Sequence, residues 1–107
     1  MKKVIDMRYD KLVRDKIPEI IRQEGRLAVT RTASDDEYEQ KLKEKLREEV
    51  DEFLTHGDVH ELADIIEVIY AIGEVKKMEK HHLEFLRQKK AKERGVFSDK
   101  VILIETK

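Results

Sequence analysis

The chain has no cysteine, which excludes disulfides and thiolate metal sites and suits a reducing compartment. Aromatic residues make up only 6% and there is a single proline, and no linker or repeat is visible. Neither sign of charge dominates: 23 Lys+Arg face 24 Asp+Glu for a net of −1. No global field therefore recruits a nucleic acid polymer, and any basic binding surface must be local. No apolar run approaches the ~20 residues of a membrane span, and the opening MKKVIDMRYD lacks a signal-peptide core. These absences predict a soluble cytoplasmic protein that binds neither membrane nor nucleic acid. At 107 residues the expectation is one domain, residues 1–107, with a core modest enough that self-association adds stability.

What the chain does have is helical pattern. A first helix is predicted over about Asp15 to Glu24, because Pro18 suits a first turn and Gly25 a left-handed stop. Leu27 to Ala33 alternates apolar and polar residues and predicts a short strand. Ser34-Asp35-Asp36-Glu37 reads as a capping box that opens a second helix running to about Leu54. In that helix Tyr38, Leu42, Leu46, Glu49 and Phe53 recur at steps of four, four, three and four, which places Glu49 where a leucine is expected. The short link Thr55-His56-Gly57-Asp58 makes the third helix, starting near Asp58 or His60, antiparallel to the second.

The third helix has an unusually wide apolar arc. Leu62, Ile65, Ile66, Ile69, Ile72 and Gly73 define its centre, and Val68, Ala71 and Val75 extend it, so one neighbour cannot cover it. A fourth helix is predicted over about Met78 to Arg94, ending in a basic run that suits a helix C-terminus. Lys100 to Thr106 reads as a second strand whose natural partner is Leu27 to Ala33. The expected fold is mainly α, a four-helix antiparallel bundle with a small two-stranded β appendage.

Glu49-x-x-Glu52 and Glu61-x-x-Asp64 each put two carboxylates three residues apart on a helix, where side chains are neighbours. Adjacent antiparallel helices can aim both pairs at one point. Carboxylates in apolar surroundings are costly unless neutralised, paired or metal-bound, and an all-oxygen acidic site suits Mg²⁺. Yet acids on charged helices commonly form solvated pairs, and 24 acids supply such spacings by chance.

The order EEVDE then ELAD resembles the acidic signature of the all-α nucleoside triphosphate pyrophosphatase superfamily, the MazG-like and phosphoribosyl-ATP pyrophosphohydrolase-like proteins. The opening KLVRDKIPEII and the ending RGVFSDKVILIE resemble one small subgroup of it, so the resemblance covers nearly the whole chain. Two departures stand out: only residues 53 to 60 separate the acidic patterns, and Val96 replaces an expected second glycine. The resemblance implies Mg²⁺-dependent cleavage of a nucleotide between its α and β phosphates, with Mn²⁺ as a possible substitute and non-canonical nucleotides as house-cleaning substrates. It implies Glu49, Glu52, Glu61 and Asp64 as metal ligands; Glu52, from its position on the flank of the stripe, is expected ahead of Glu49 to orient or deprotonate water. Lys11, Arg14 and Lys16 supply local positive charge for a triphosphate, with Lys89 or Arg94 adding to it. Glu48 stands beside the cluster, and the four histidines read as surface residues. The expected assembly is a homodimer or homotetramer. Two rivals are a phosphoribosyl-ATP pyrophosphohydrolase and a non-catalytic helical dimerisation module.

Overall fold

A computed structural model describes residues 9–107. The chain falls into two compact units, Met1–Ile72 and Gly73–Lys107. It is mainly helical, with four helices and no β-strand among the described residues.

In the first unit, α1 is Ile17–Gln23, with Pro18 in its first turn. It is shorter than the sequence pattern suggests, because Lys16 serves as N-cap and the chain leaves the helix through Gly25, which donates to the Arg22 carbonyl at 3.0 Å. Helix α2, Asp35–His56, opens as its sequence dictates: the Ser34 hydroxyl accepts from the Glu37 N–H at 3.3 Å. The Glu37 carboxylate is taken by Arg31, whose guanidinium donates to both oxygens at 2.6 and 2.7 Å. That hydrogen bond, with the attendant charge, holds the Glu37 carboxyl below its ordinary range.

Helix α2 runs one turn-fraction beyond Leu54 and stops at Gly57, whose φ of 69° is left-handed and whose N–H donates to the Phe53 carbonyl at 2.7 Å. A side chain there would be strained, so glycine fixes the turn. Asp58 then starts α3, Val59–Val75, its carboxylate accepting from the His60 N–H at 2.9 Å. With only two residues between them, α2 and α3 form a helical hairpin.

Its buried apolar contacts are few: Leu42 on α2 is 3% exposed and Val68 on α3 is 8% exposed. Val59, Leu62, Ile66 and Ile69, at steps of three, four and three, stay exposed along another side of α3. The wide apolar arc is therefore real but only partly covered.

In the second unit, α3 ends in a Schellman turn. Met78 donates to the Gly73 carbonyl at 2.7 Å and Lys77 to the Glu74 carbonyl at 3.0 Å, with Lys77 left-handed at φ 62°. This use of Met78 explains why α4 is Lys80–Arg94 and starts after Glu79. Gly73 is tightly enclosed: a Cβ there would lie 2.7 Å from Leu83 Cδ1 and 2.9 Å from the Met78 carbonyl.

The two predicted strands are not formed. Residues 27–33 and 100–106 are non-helical chain without ladder pairing, and Leu27, Val29, Val101, Ile102, Leu103 and Ile104 are all exposed. β-Branched sequence favours an extended backbone, but a strand exists only when a neighbour accepts its hydrogen bonds.

Candidate functional site

The α2–α3 hairpin decides where the acids go. Glu49 lies on the inner stripe of α2 and is 7% exposed. Glu52 follows three residues later, half-buried, and Glu61 and Asp64 stand in the first turns of α3, also half-buried. Glu49 feels the charges of Glu52 and Asp64, one acid from each pattern.

Burial is the main cause that pushes the Glu49 carboxyl above its ordinary range. Lys45, one turn earlier, opposes that shift, its Nζ 3.5 Å from Glu49 Oε1, while the negative charges of Glu52 and Asp64 reinforce it. One Glu49 oxygen, Oε2, is buried with no hydrogen-bond partner, and so is Oε2 of Glu61. The other Glu61 oxygen lies 3.6 Å from His56 Nδ1. Each orphaned carboxylate oxygen is costly, since an unmet buried acceptor forfeits its hydration without return.

The basic residues predicted to meet phosphate reach the same region from the segment before α1. Arg14 Nη2 donates to Asp64 Oδ1 at 2.6 Å. Lys11 Nζ is 3.5 Å from Glu48 Oε1, and Lys41 Nζ donates to the Asp10 carbonyl at 2.8 Å, which ties the segment to α2. Lys16 stands exposed at the N-cap of α1. Lys89 and Arg94 belong to α4 in the second unit, both exposed; Lys89 borders a shallow depression with Phe85, Gln88, Lys92 and Glu93.

The donor set suits a hard divalent cation, being all carboxylate oxygen with two buried oxygens unpartnered. In this conformation, however, no three such groups among the described residues converge closely enough to hold one. Two of these acids have basic partners instead: Arg14 is paired with Asp64, and Lys45 lies against Glu49. Sequence reading did not single out Lys45 or His56. The Lys45 signal was available, since a lysine four residues before a buried acid on a helix is its neighbour; the His56 contact depends on how the turn folds.

This chain is similar to an uncharacterized protein of Mycolicibacterium smegmatis. The two are 63% identical over 41 residues, which are 38% of this chain and 42% of that protein, so the matched region spans under half the relative's length. No protein-family model matches the chain, and no solved structure matches it. The relative's name states no activity, and the functional reading rests on the site's own chemistry together with the sequence resemblance.

Proposed function

We propose that this protein is a Mg²⁺-dependent nucleoside triphosphate pyrophosphohydrolase, cleaving between the α and β phosphates to give a nucleoside monophosphate and pyrophosphate. The observation that carries the reading is the buried Glu49 carboxylate, raised in pKa by burial, unpartnered at one oxygen and within reach of the charge of Asp64. A protein keeps such a group against its folding cost where the group has chemistry to do.

Glu49, Glu52, Glu61 and Asp64 are the residues that would hold the metal, with Mn²⁺ as a substitute. When bound, Mg²⁺ supplies neutralisation of phosphate charge and a water of lowered pKa. Among the chain's own groups, Glu52 is the half-buried acid not taken up by a basic side chain in the described contacts, which suits it to orient a water or accept its proton. Lys11, Arg14 and Lys16 bind and orient the phosphate chain, and cations on the leaving pyrophosphate stabilise the charge that grows there. Cleavage between α and β phosphates and the house-cleaning substrates rest on the family resemblance, and Lys89 and Arg94 are proposed from their charge alone.

The proposed setting is a cytoplasmic homodimer or homotetramer of bundle-like subunits joined through the uncovered stripe of α3. No helix among the described residues is long and apolar enough to cross a membrane. The same stripe favours the second reading, a non-catalytic dimerisation module, and the phosphoribosyl-ATP hydrolase shares the acidic signature.

Phosphorus NMR of a nucleotide panel incubated with Mg²⁺ separates the three. Pyrophosphate from nucleoside triphosphates is expected. Pyrophosphate from phosphoribosyl-ATP alone selects the other enzyme, no turnover selects the module, and orthophosphate as the first product contradicts the mechanism.

A further inference from the structure

Residues 26–33 and 100–106 are two runs without ladder pairing. In the tail, Val101, Ile102, Leu103 and Ile104 are exposed by 81%, 82%, 76% and 90%, so neither of its faces is covered. Leu27 and Val29 are exposed as fully, by 87% and 88%. Their backbones are open too: among the described residues, no hydrogen bond uses the N–H or carbonyl of residues 101–106, of Leu27 or of Val29. One edge of the first run is already taken. The Arg26 N–H donates to the Ile21 carbonyl at 3.2 Å, and the Ala28 carbonyl accepts from Arg22 at 3.0 Å, which ties that edge to α1. Along an extended chain alternate residues turn their backbone groups to opposite edges, so the edge of Leu27 and Val29 is the free one.

The two runs match in one antiparallel register. Leu27 opposite Ile104 and Val29 opposite Ile102 become the hydrogen-bonded pairs and use that free edge. Ala28 then opposes Leu103, Thr30 opposes Val101, and Arg26 opposes Glu105, the tail's one acid. Apolar meets apolar on one face, and on the other the charges are opposite. Arg26 and Glu105 now hold only near neighbours in sequence, Glu24 at 3.6 Å and Lys107 at 3.7 Å, all of them exposed. Arg31 falls opposite Lys100, but both oxygens of Glu37 already neutralise it. Two tails paired with each other about a two-fold axis fit worse. Opposed residues are then both odd-numbered or both even-numbered, which never sets Glu105 against Lys100.

We propose that residues 100–105 of one copy pair antiparallel with residues 26–31 of a second copy, and that the exchange is reciprocal, giving two such ribbons per dimer. The partner is a second copy because this chain carries both complementary halves. Each copy then gives one run and receives the other, the closed two-fold arrangement most common among homo-oligomers. Exchange also covers both open edges, which left free are templates for unlimited pairing. A two-stranded ribbon alone is marginal in water, so the exchange rests on the self-association through the α3 stripe given above and adds to it. It is independent of the metal and of the chemistry at the acids.

Because the chain has no cysteine, cross-linking reads the register directly. Full-length Ala28→Cys and Leu103→Cys chains are mixed at high dilution, reconcentrated and oxidised; an opposed pair outside the hydrogen-bonded set has the closest side chains. A covalent heterodimer on a non-reducing gel is expected. Ala28→Cys mixed with Ile102→Cys, one residue out of register, should cross-link several-fold less, since that slip points the thiol to the other face. The chain carrying both Ala28→Cys and Leu103→Cys should run as a covalent dimer. A disulfide closed within a monomer overturns the exchange, and so does Leu103→Cys cross-linking only to itself. By sedimentation equilibrium, Glu105→Arg should weaken the dimer about five-fold through two lost charge pairs, and Arg26→Glu/Glu105→Arg should restore it. A native dimer that neither cross-links between 28 and 103 nor responds to Glu105→Arg overturns the ribbon and leaves the α3 seam standing. A native protein that is monomeric at micromolar concentration overturns both.

Discussion

Glu49 occupies the centre of an apolar helical stripe, and its consequences follow from burial. A carboxyl whose folded pKa is raised above its ordinary 4.5 binds protons more readily in the native state than in the unfolded one. Its favourable contribution is thus complete below the unfolded pKa and is lost as pH rises through the folded value, so ionised Glu49 destabilises the metal-free protein at neutral pH. Glu49→Gln should therefore raise the melting temperature without metal at pH 7, by a few degrees if the gain is about 1 kcal/mol. The advantage should shrink as pH falls and the native carboxyl takes up its proton. The opposite contributions of Glu37 and Glu84, whose carboxyls Arg31 and Arg87 hold low through hydrogen bonds, disappear only at more acidic pH and are common to both proteins. Melting curves across that range check it, and a variant less stable than the native protein at pH 7 would contradict it. The placement of Glu49 was legible because an acid in a leucine register breaks a period of 3.6. The grip of Arg14 on Asp64 was not, because residues fifty apart meet only through the fold.

At the scale of the element, helix ends show which parts of the pattern bind structure tightly. Ser34 and Gly57 bound α2 as their chemistry requires, and Gly95 closes α4 by donating to the Ala91 carbonyl at 2.8 Å. The end of α3 was harder to read: Gly73 lies inside the helix, filling a close approach to Leu83, while the left-handed position of the Schellman turn is held by Lys77. A lysine there adopts a backbone that costs a non-glycine residue on the order of 1 kcal/mol. Lys77→Gly should accordingly stabilise the protein, against the usual penalty for glycine, with a higher denaturation midpoint in urea. A lower midpoint would mean that the Lys77 side chain contributes more than its backbone loses. Gly73→Ala should do the reverse. Alanine's helix advantage of about 1 kcal/mol is outweighed, since the added methyl meets the Met78 carbonyl, a backbone atom, at 2.9 Å and overpacking typically costs 1–3 kcal/mol. The predicted strands failed for a different reason. Leu27 to Ala33 and Lys100 to Thr106 carry the right residues, but strand formation is a property of a pair and one segment's sequence describes only itself.

For the molecule as a whole, many large apolar side chains among the described residues stay exposed. Among its exposed apolar residues, Val59, Leu62, Ile66 and Ile69 form a single α3 stripe with the spacing of a helix-packing seam. Self-association through that stripe should give at least a dimer by light scattering at micromolar concentration, and Ile66→Lys, which places a charge at an already exposed position, should reduce it to 12.7 kDa particles without unfolding. A native protein that is cleanly monomeric would contradict this. The central claim, that the acids of the α2–α3 hairpin form a metal site for nucleotide hydrolysis, is tested most directly by crystals grown with Mn²⁺ and α,β-methylene ATP and measured for anomalous scattering at the manganese edge. The account predicts a manganese peak coordinated by Glu49 and Asp64 together with Glu52 or Glu61, with Arg14 on phosphate. Manganese elsewhere, or Arg14 still paired with Asp64 and the Glu49 oxygen unliganded beside bound nucleotide, would contradict it.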